Sequence, residues 1–294
     1  MLMKKTTSDS VANAVFIGIS VAIIIAIVYP LYFVLIASFS DPASIANGEV
    51  WLFPTKFDFG GYHELFKQKQ IWISYWNTIV YTVVGTLIAL AVNIPAGFAM
   101  SRRELVGRKW INIFYLIPMF VSGGLIPTYF VVKGFGLLNS FWVMVLPFSV
   151  STYNIIVSRT FFKSSLPESL WDAAQIDGCS TIRYFFQFAL PLSKSVLAVI
   201  GLWTAVGLWN SWFNALIYIN DEGLQPLQLL LRRILISNQS LLGAATGSMA
   251  QELRRLSDMM KYAAIVVSTL PIMCLYPFLQ KYFNKGVMIG AVKE

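Results

Sequence analysis

Charge is what this sequence has least of. Of its 294 residues only 12% are Asp, Glu, Lys or Arg, roughly half the ~25% of an ordinary soluble domain. Such a chain cannot clothe one large core in a solvated surface, and a water-soluble globule is excluded on that ground. Metal-ligating and redox side chains are also scarce: two cysteines, Cys179 and Cys274, and one histidine, His63. That is too few for a metal cluster or a disulfide framework. Cys179 falls in a charged loop and Cys274 inside an apolar run, and neither position suits a disulfide. His63, with no partner ligands nearby, reads as an exposed loop residue. The chain has no Gly-x-x-x-x-Gly-Lys-Ser/Thr phosphate loop, so it does not bind ATP in that way. It shows no repeat of 20 to 50 residues and no low-complexity tract. Its uncharged runs hold no Asp, His or Cys constellation that would support catalysis.

Hydrophobicity fills the gap, at 57% of residues and a mean hydropathy of +0.66. A membrane span needs about 20 mostly apolar residues. Six stretches free of charge meet that length: Val15–Ser40, Gln70–Ser101, Trp110–Val132, Gly134–Ser158, Ser195–Asn220 and Tyr262–Gln280. The first has an apolar core too long for a signal peptide and no small-residue cleavage site before Pro42, so it is expected to be a retained span. The predicted architecture is all-α and integral to the membrane. Six spans (about 15–40, 71–100, 110–132, 135–158, 195–219 and 262–280) form one domain over 15–283, between tails 1–14 and 284–294.

Basic residues orient it. If six spans alternate, Lys4, Lys5, Arg102, Arg103, Arg108, Lys109, Arg159, Lys163, Arg183, Lys194, Lys281, Lys285 and Lys293 share one side. Bases on the other side are nearly balanced by acids such as Asp41, Glu49, Asp58, Glu64, Asp221 and Glu222. Both termini are therefore expected in the cytoplasm. The net charge of +8 is a topology signal and calls for no nucleic acid. On the external side, 41–70 reads as an irregular loop with one short helix from Tyr62. Gly134, Gly136 and Asn139 read as a turn, Leu227–Ile236 as a surface helix, and Ser237–Ser248 as a connection.

The cytoplasmic loop 159–194 is too long for a turn, and loops of that length are usually functional or disordered. Ser165-Leu166-Pro167-Glu168 is a capping box in which Ser165 starts a helix. That helix is predicted to run through Leu170, Trp171, Ala173, Ala174 and Ile176 and to stop at Gly178. Ser180 or Thr181 then caps a second helix, Ile182–Leu190, ended by Pro191. Ala173, Ala174 and Gly178 present almost no side chain, with Asp172 and Asp177 beside them. Such a face suits close docking on a partner protein. A helix resting on lipid headgroups is the weaker reading, because the acids would repel anionic lipid.

Asp172-Ala173-Ala174-Gln175-Ile176-Asp177-Gly178 followed by Leu190-Pro191 resembles the EAA loop of ABC importer permeases, in spacing and in its place before the second-last span. Trp76-Asn77-Thr78, Gly136-Leu137-Leu138-Asn139, Trp209-Asn210-Ser211-Trp212-Phe213-Asn214 and the tail 285–293 resemble carbohydrate-uptake permeases similar to the smaller subunit of the maltose system. Ser122–Tyr129 and Tyr276–Phe283 resemble the complex-oligosaccharide branch common in Gram-positive bacteria. Two positions depart from the pattern: Asp172 stands where the family has Glu, and Ser195 where it often has proline.

The resemblance implies a type I importer permease fold in a bacterial plasma membrane, with a cytoplasmic coupling helix. It implies no enzyme activity and no cofactor on this chain. Its implied partners are a second permease forming a heterodimer, an extracytoplasmic sugar-binding protein and a separate ATPase pair that uses ATP and Mg. The binding protein would be met by loops 41–70 and 221–261. ATPase coupling would fall to Glu168, Trp171, Asp172, Ala173, Ala174, Asp177, Gly178 and Pro191.

A sugar path needs aromatic faces and amides. Trp209, Asn210, Trp212, Phe213 and Asn214 supply both, with Ser122, Tyr153 and Asn154 as further candidates. The four-residue spacing of Asn210 and Asn214 puts them on one helical face. These asparagines could instead join helices, the tryptophans could form an interfacial belt, and the main sugar site could belong to the partner. Two rival readings remain: an ion-coupled secondary transporter, against which the charge-free spans offer no proton carrier, and an importer permease for a non-sugar substrate.

Overall fold

The computed structural model describes residues 7–244, 255 and 257–274. The helices are α1 (Thr7–Ala37), α2 (Pro42–Ala46), α3 (Gly60–Lys67), α4 (Lys69–Ser101), α5 (Arg108–Phe120), α6 (Leu125–Gly134), α7 (Phe141–Val145), α8 (Thr152–Ser165), α9 (Glu168–Ile176), α10 (Thr181–Tyr184), α11 (Leu190–Leu192), α12 (Lys194–Trp209), α13 (Trp212–Tyr218), α14 (Leu227–Ala244) and α15 (257–274). Among the described residues there is no strand, only an isolated bridge between Ser40 and Phe57. The chain forms two compact units, Met1–Gln68 with Arg233–Thr269, and Lys69–Arg232 with Leu270–Glu294.

In the first unit, α1 has 31 residues, about 46 Å at ~1.5 Å per residue, more than a bilayer's ~30 Å core. Beyond Asn13 nearly all of its side chains are apolar, on every face, and Ile23, Ile24, Ile25 and Ile27 are all exposed. A helix hydrophobic all round belongs in lipid or in a large core. Asp41 caps α2, accepting a bond from Ser44 N–H at 3.3 Å, with Pro42 at the first helical position. Tyr62 of α3 stacks on Phe39 at 5.4 Å and donates its hydroxyl to Ser38 Oγ at 2.8 Å. Arg255 pairs with Asp58 at 3.7 Å. The α14 helix runs on to Ala244, so residues expected to form a connection are helical through that point.

The second unit is organised by α4, a 33-residue helix packed along α8 and α12. Its partners come close because α4 offers glycine at the crossings, Gly85 against Leu208 and Gly97 against Ser158. Small residues at helix crossings are how backbones approach in membranes. Asn93, fully buried, donates to the carbonyls of Ala89 and Ser149, each at 2.7 Å, and accepts from Ser151 N–H at 2.9 Å. It thereby satisfies backbone groups exposed where the chain breaks between α7 and α8, a break that contains Pro147.

Two helical segments, Val11–Ala37 and Lys69–Ser101, are each long and apolar enough to cross a bilayer. Two further pairs qualify only as broken spans. The α5 and α6 axes differ by 118°, and Thr181–Leu192 differs from α12 by 80°. The uncharged run 110–132 is interrupted at Val121–Gly124, where Gly124 has φ +82°. The run 135–158 divides into α7 and α8, and α8 continues past it to Ser165. The part of the last run beyond 274, and the tail motifs within 275–294, lie outside the described residues.

Candidate functional site: the loop 159–194 and a polar cavity

The capping box does not form. Ser165 is the last residue of α8, Pro167 holds the N-cap position of α9, and no side chain caps that end. The cause is Leu166, buried in the core, which draws the end of α8 inward and takes Ser165 with it. Ser165 Oγ has no hydrogen-bond partner among the described residues. Glu168 instead faces Arg103 at 3.2 Å, an exposed pair of a kind contributing at most about 1 kcal/mol.

The α9 helix divides its faces sharply. Trp171 and Ala174, three residues apart, are buried. Asp172, Ala173, Gln175, Ile176 and Asp177 face outward, and Ile176 is 86% exposed. Ala174, expected on a small-residue docking face, belongs to the chain's own core. The turn of the helix points it the same way as Trp171, whose large apolar area decides which face goes in. Ile176 is the residue that sequence reasoning missed. Its signal was present, an apolar side chain between Gln175 and Asp177 off the Trp171 face.

The end of α9 is as expected. Gly178 has φ +70°; its N–H donates to Gln175 O at 2.9 Å and that of Cys179 to Ala174 O at 2.9 Å. These two bonds make the glycine stop of a Schellman motif. Ser180 then caps α10, accepting from Arg183 N–H at 3.4 Å. The helix does not end at Pro191. It widens into a π-helical turn at Phe185–Ala189 and continues through Pro191 to Leu192. Pro191 has no N–H to donate, and its ring would clash with the Gln187 carbonyl of a regular α-helix; the wider turn relieves both. Trp171, Ala174, Tyr184, Phe185 and Ala189 share one core with Ile94 and Phe98 of α4, Phe162 of α8, and Val196 and Ile200 of α12. The loop is therefore joined to three long helices.

A cavity of about 400 Å³ lies in the same unit, lined by Phe148, Ser151, Tyr153, Asn154, Trp203, Thr204, Gly207, Leu208, Ser211 and Asn214. The rings of Tyr153 and Trp203 stand 5.5 Å apart at 41°. Asn154 Nδ2 reaches Thr204 Oγ1 at 3.5 Å. None of these lining residues is charged.

Of the expected path residues, Tyr153, Asn154 and Asn214 line this cavity and the others do not. The helix breaks between α12 and α13, so Asn210 and Asn214 do not share a face. Asn210 ends α12, with Nδ2 on Val206 O at 2.9 Å. Trp209 is buried against Tyr75, ring centres 6.1 Å apart. Arg232 covers the Trp212 ring at 3.7 Å. Phe213 is exposed, and Ser122 sits in the bend before α6, accepting from Gly124 N–H at 3.2 Å. Trp203, Thr204 and Gly207 of α12, and Ser211 in the break that follows it, were missed.

Two motifs prove to be staples. Asn77 Nδ2 donates to Gly223 O at 2.7 Å, and Thr78 Oγ1 accepts from Leu227 N–H at 2.8 Å. Asn139, at φ +53°, accepts from the N–H groups of Asn220 at 3.0 Å and Asp221 at 2.8 Å. Together they hold the segment 220–227 against α4 and the turn before α7. Among the described residues no group of His, Cys, Asp and Glu could hold a metal ion.

The family described as binding-protein-dependent transport system inner membrane component matches residues 85–289. The chain is 40% identical over 283 residues to the protein LplC of Bacillus subtilis (strain 168), covering 96% of this chain and 94% of that one. It is 37% identical over 270 residues to the polygalacturonan/rhamnogalacturonan transport system permease protein YtcP of the same bacterium, covering 90% and 92%. Its fold matches a chain of a bacterial ABC transporter involved in the import of the acidic polysaccharide alginate, with a TM-score of 0.83, 30% identity, and 95% and 99% coverage.

Proposed function

The chain belongs to the family of binding-protein-dependent transport system inner membrane components, and from that premise we propose that it is the permease subunit that carries an oligosaccharide through an ATP-driven importer. It is a transport component and not an enzyme. The observation that carries the mechanism is α9, whose Trp171 face is packed into the core of the long helices while its Ile176 face is bare. A helix built this way takes a push from outside and delivers it inward. The pusher is a separate ATPase pair, which binds the ATP and Mg; this chain binds neither. Closure of that pair moves the loop 159–194 as a lever and drives alternating access.

Six bilayer crossings with both termini cytoplasmic accord with the basic-residue distribution. Broken backbone at membrane depth is tolerated only where protein or a water-filled cavity covers it. Among the described residues, α5 buries no side chain within this chain and α6 buries only Val132. A second, homologous permease covers them, giving a heterodimer. An extracytoplasmic sugar-binding protein docks on the outer loops, including the stapled segment 220–227.

The cavity between α8 and α12 is this chain's contribution to the sugar path. Tyr153 and Trp203 offer faces to the apolar side of a pyranose ring, and Asn154, Thr204 and Asn214 offer partners for its hydroxyls. Trp203→Ala is expected to raise the KM for uptake about tenfold, which corresponds to ~1.4 kcal/mol, with little change in assembly. Unchanged KM would remove the cavity from the path.

The test of the function is ATP-dependent uptake into proteoliposomes holding the whole complex and its binding protein, with labelled raffinose and oligogalacturonate as neutral and acidic probes. Accumulation of either, abolished by vanadate, is the expected result. Uptake that follows an ion gradient without ATP would place the secondary-transporter reading first.

A further inference from the structure

Arg102 immediately follows the last residue of α4, and its guanidinium carbon sits among three aromatic rings. It lies 5.4 Å from the ring centre of Phe98 on α4, 4.8 Å from Trp171 on α9 and 5.7 Å from Tyr184 on α10. Its Nε and Nη1 are shielded from solvent and make no hydrogen bond among the described residues. The charge is thus held mainly by ring faces, an attraction that an aromatic quadrupole supplies to a cation. Trp171 and Tyr184 themselves meet edge to face at 4.8 Å. Burial pushes the Tyr184 hydroxyl above its ordinary pKa, while the adjacent Arg102 charge works in the opposite direction.

The next two residues reach toward the same helix. Glu104 Oε1 accepts the indole N–H of Trp171 at 2.9 Å, and Arg103 meets Glu168 at 3.2 Å. A cavity of about 270 Å³ opens beside them, lined in part by Arg102, Glu104, Trp171 and Gln175. So α9 has space on this flank, and its inward tryptophan is held from the end of α4.

We propose that Arg102 is a positioning residue that ties α9 to α4, so that displacement of α9 reaches the long span against which the cavity helices α8 and α12 pack. This rests on the reading of α9 as the ATPase-coupled helix. A contact through ring faces survives small rotations of α9 that would break a directional hydrogen bond. Lysine, with a compact and more strongly hydrated charge, cannot lie flat between the rings.

The test uses the whole complex with a reporter that needs no knowledge of the sugar. Ser211→Cys is placed in the cavity wall with Cys179 and Cys274 replaced by serine, and fluorescein maleimide labelling is compared between the nucleotide-free and vanadate-trapped states. With Arg102 present, trapping is expected to change the labelling rate at least about fivefold, the low end of coupling between distant sites. Arg102→Gln is expected to flatten that change while the assembled complex still hydrolyses ATP, and Arg102→Lys to restore only part of it. A merely structural role would lower assembly without altering the ratio in complexes that do assemble.

An assembled Arg102→Gln complex with the full labelling change overturns the proposal. If the Gln variant does not assemble, the Lys variant decides by the same ratio, and failure of both to assemble places Arg102 in folding alone and also overturns it. Ile176→Asp separates the two levels. If that variant binds the ATPase and responds normally, α9 is not the coupled helix; if it is defective while Arg102→Gln is normal, only the role of Arg102 falls.

Discussion

Replacing Gly97 with leucine is expected to remove nearly all folded chain from detergent extracts. A Cβ built at Gly97 falls on Ser158 Cβ, and it lies 2.9 Å from Arg159 N and 3.0 Å from Ile155 O. Two of those three atoms are backbone of α8, so no rotamer change makes room. Even alanine forces α4 and α8 apart, at a cost of about 1–3 kcal/mol by analogy with overpacked cores, and leucine adds three more carbons. The same crossing carries the Asn93 bonds to Ser149 and Ser151, so separation also strips buried backbone groups of their partners. The check is size-exclusion yield of the fluorescently tagged chain. Gly18→Leu is the control, because a Cβ there meets nothing within 4 Å, and its yield should match the unaltered chain.

Ile176→Asp is expected to leave folding intact and to cut ATPase retention at least tenfold. Ile176 is 86% exposed and contributes nothing to the chain's core, so its replacement should change stability by less than about 0.5 kcal/mol. A buried apolar anchor at a protein interface contributes about 2 kcal/mol or more, and a carboxylate in its place adds a desolvation cost. Retention of the ATPase on the tagged permease after washing measures the effect. Gly178 gives a companion pair. Alanine there costs about 1 kcal/mol from backbone alone, since φ is +70° and the space is open. Asparagine tolerates that conformation but adds bulk to the outer face. If Asn uncouples more than Ala, the partner surface is what needs glycine.

The uncharged runs and the glycine stop of α9 were legible in the sequence because each depends on local chemistry. Charge at membrane depth is costly whatever the neighbours, and only a residue without Cβ sits easily at the Gly178 dihedral. Residues whose role depends on a distant partner were not legible. Ser165 has the right spacing for a cap, but the burial of Leu166 determines where α8 ends. Ala174 looks like part of a docking face until Trp171 fixes which way α9 turns. Asn210 and Asn214 share a face only if the helix is continuous, and it breaks between them. Trp203 and Thr204 resembled ordinary span residues because nothing local marks a cavity that α8 completes. Arg102 counted only as one of several topology charges, since its rings come from residues 98, 171 and 184. The family motifs were sound guides to identity and weaker guides to role: Asn77 and Asn139 hold a loop in place.

The central claim is that this chain moves sugar only as part of an ATPase-driven assembly. The most direct measurement is gentle detergent purification of the tagged chain from its native membrane, with the retained proteins identified by mass spectrometry. Recovery of an ABC ATPase together with a second permease carrying its own EAA loop is the expected result. Recovery of this chain alone, still supporting ATP-independent uptake in liposomes, would contradict it.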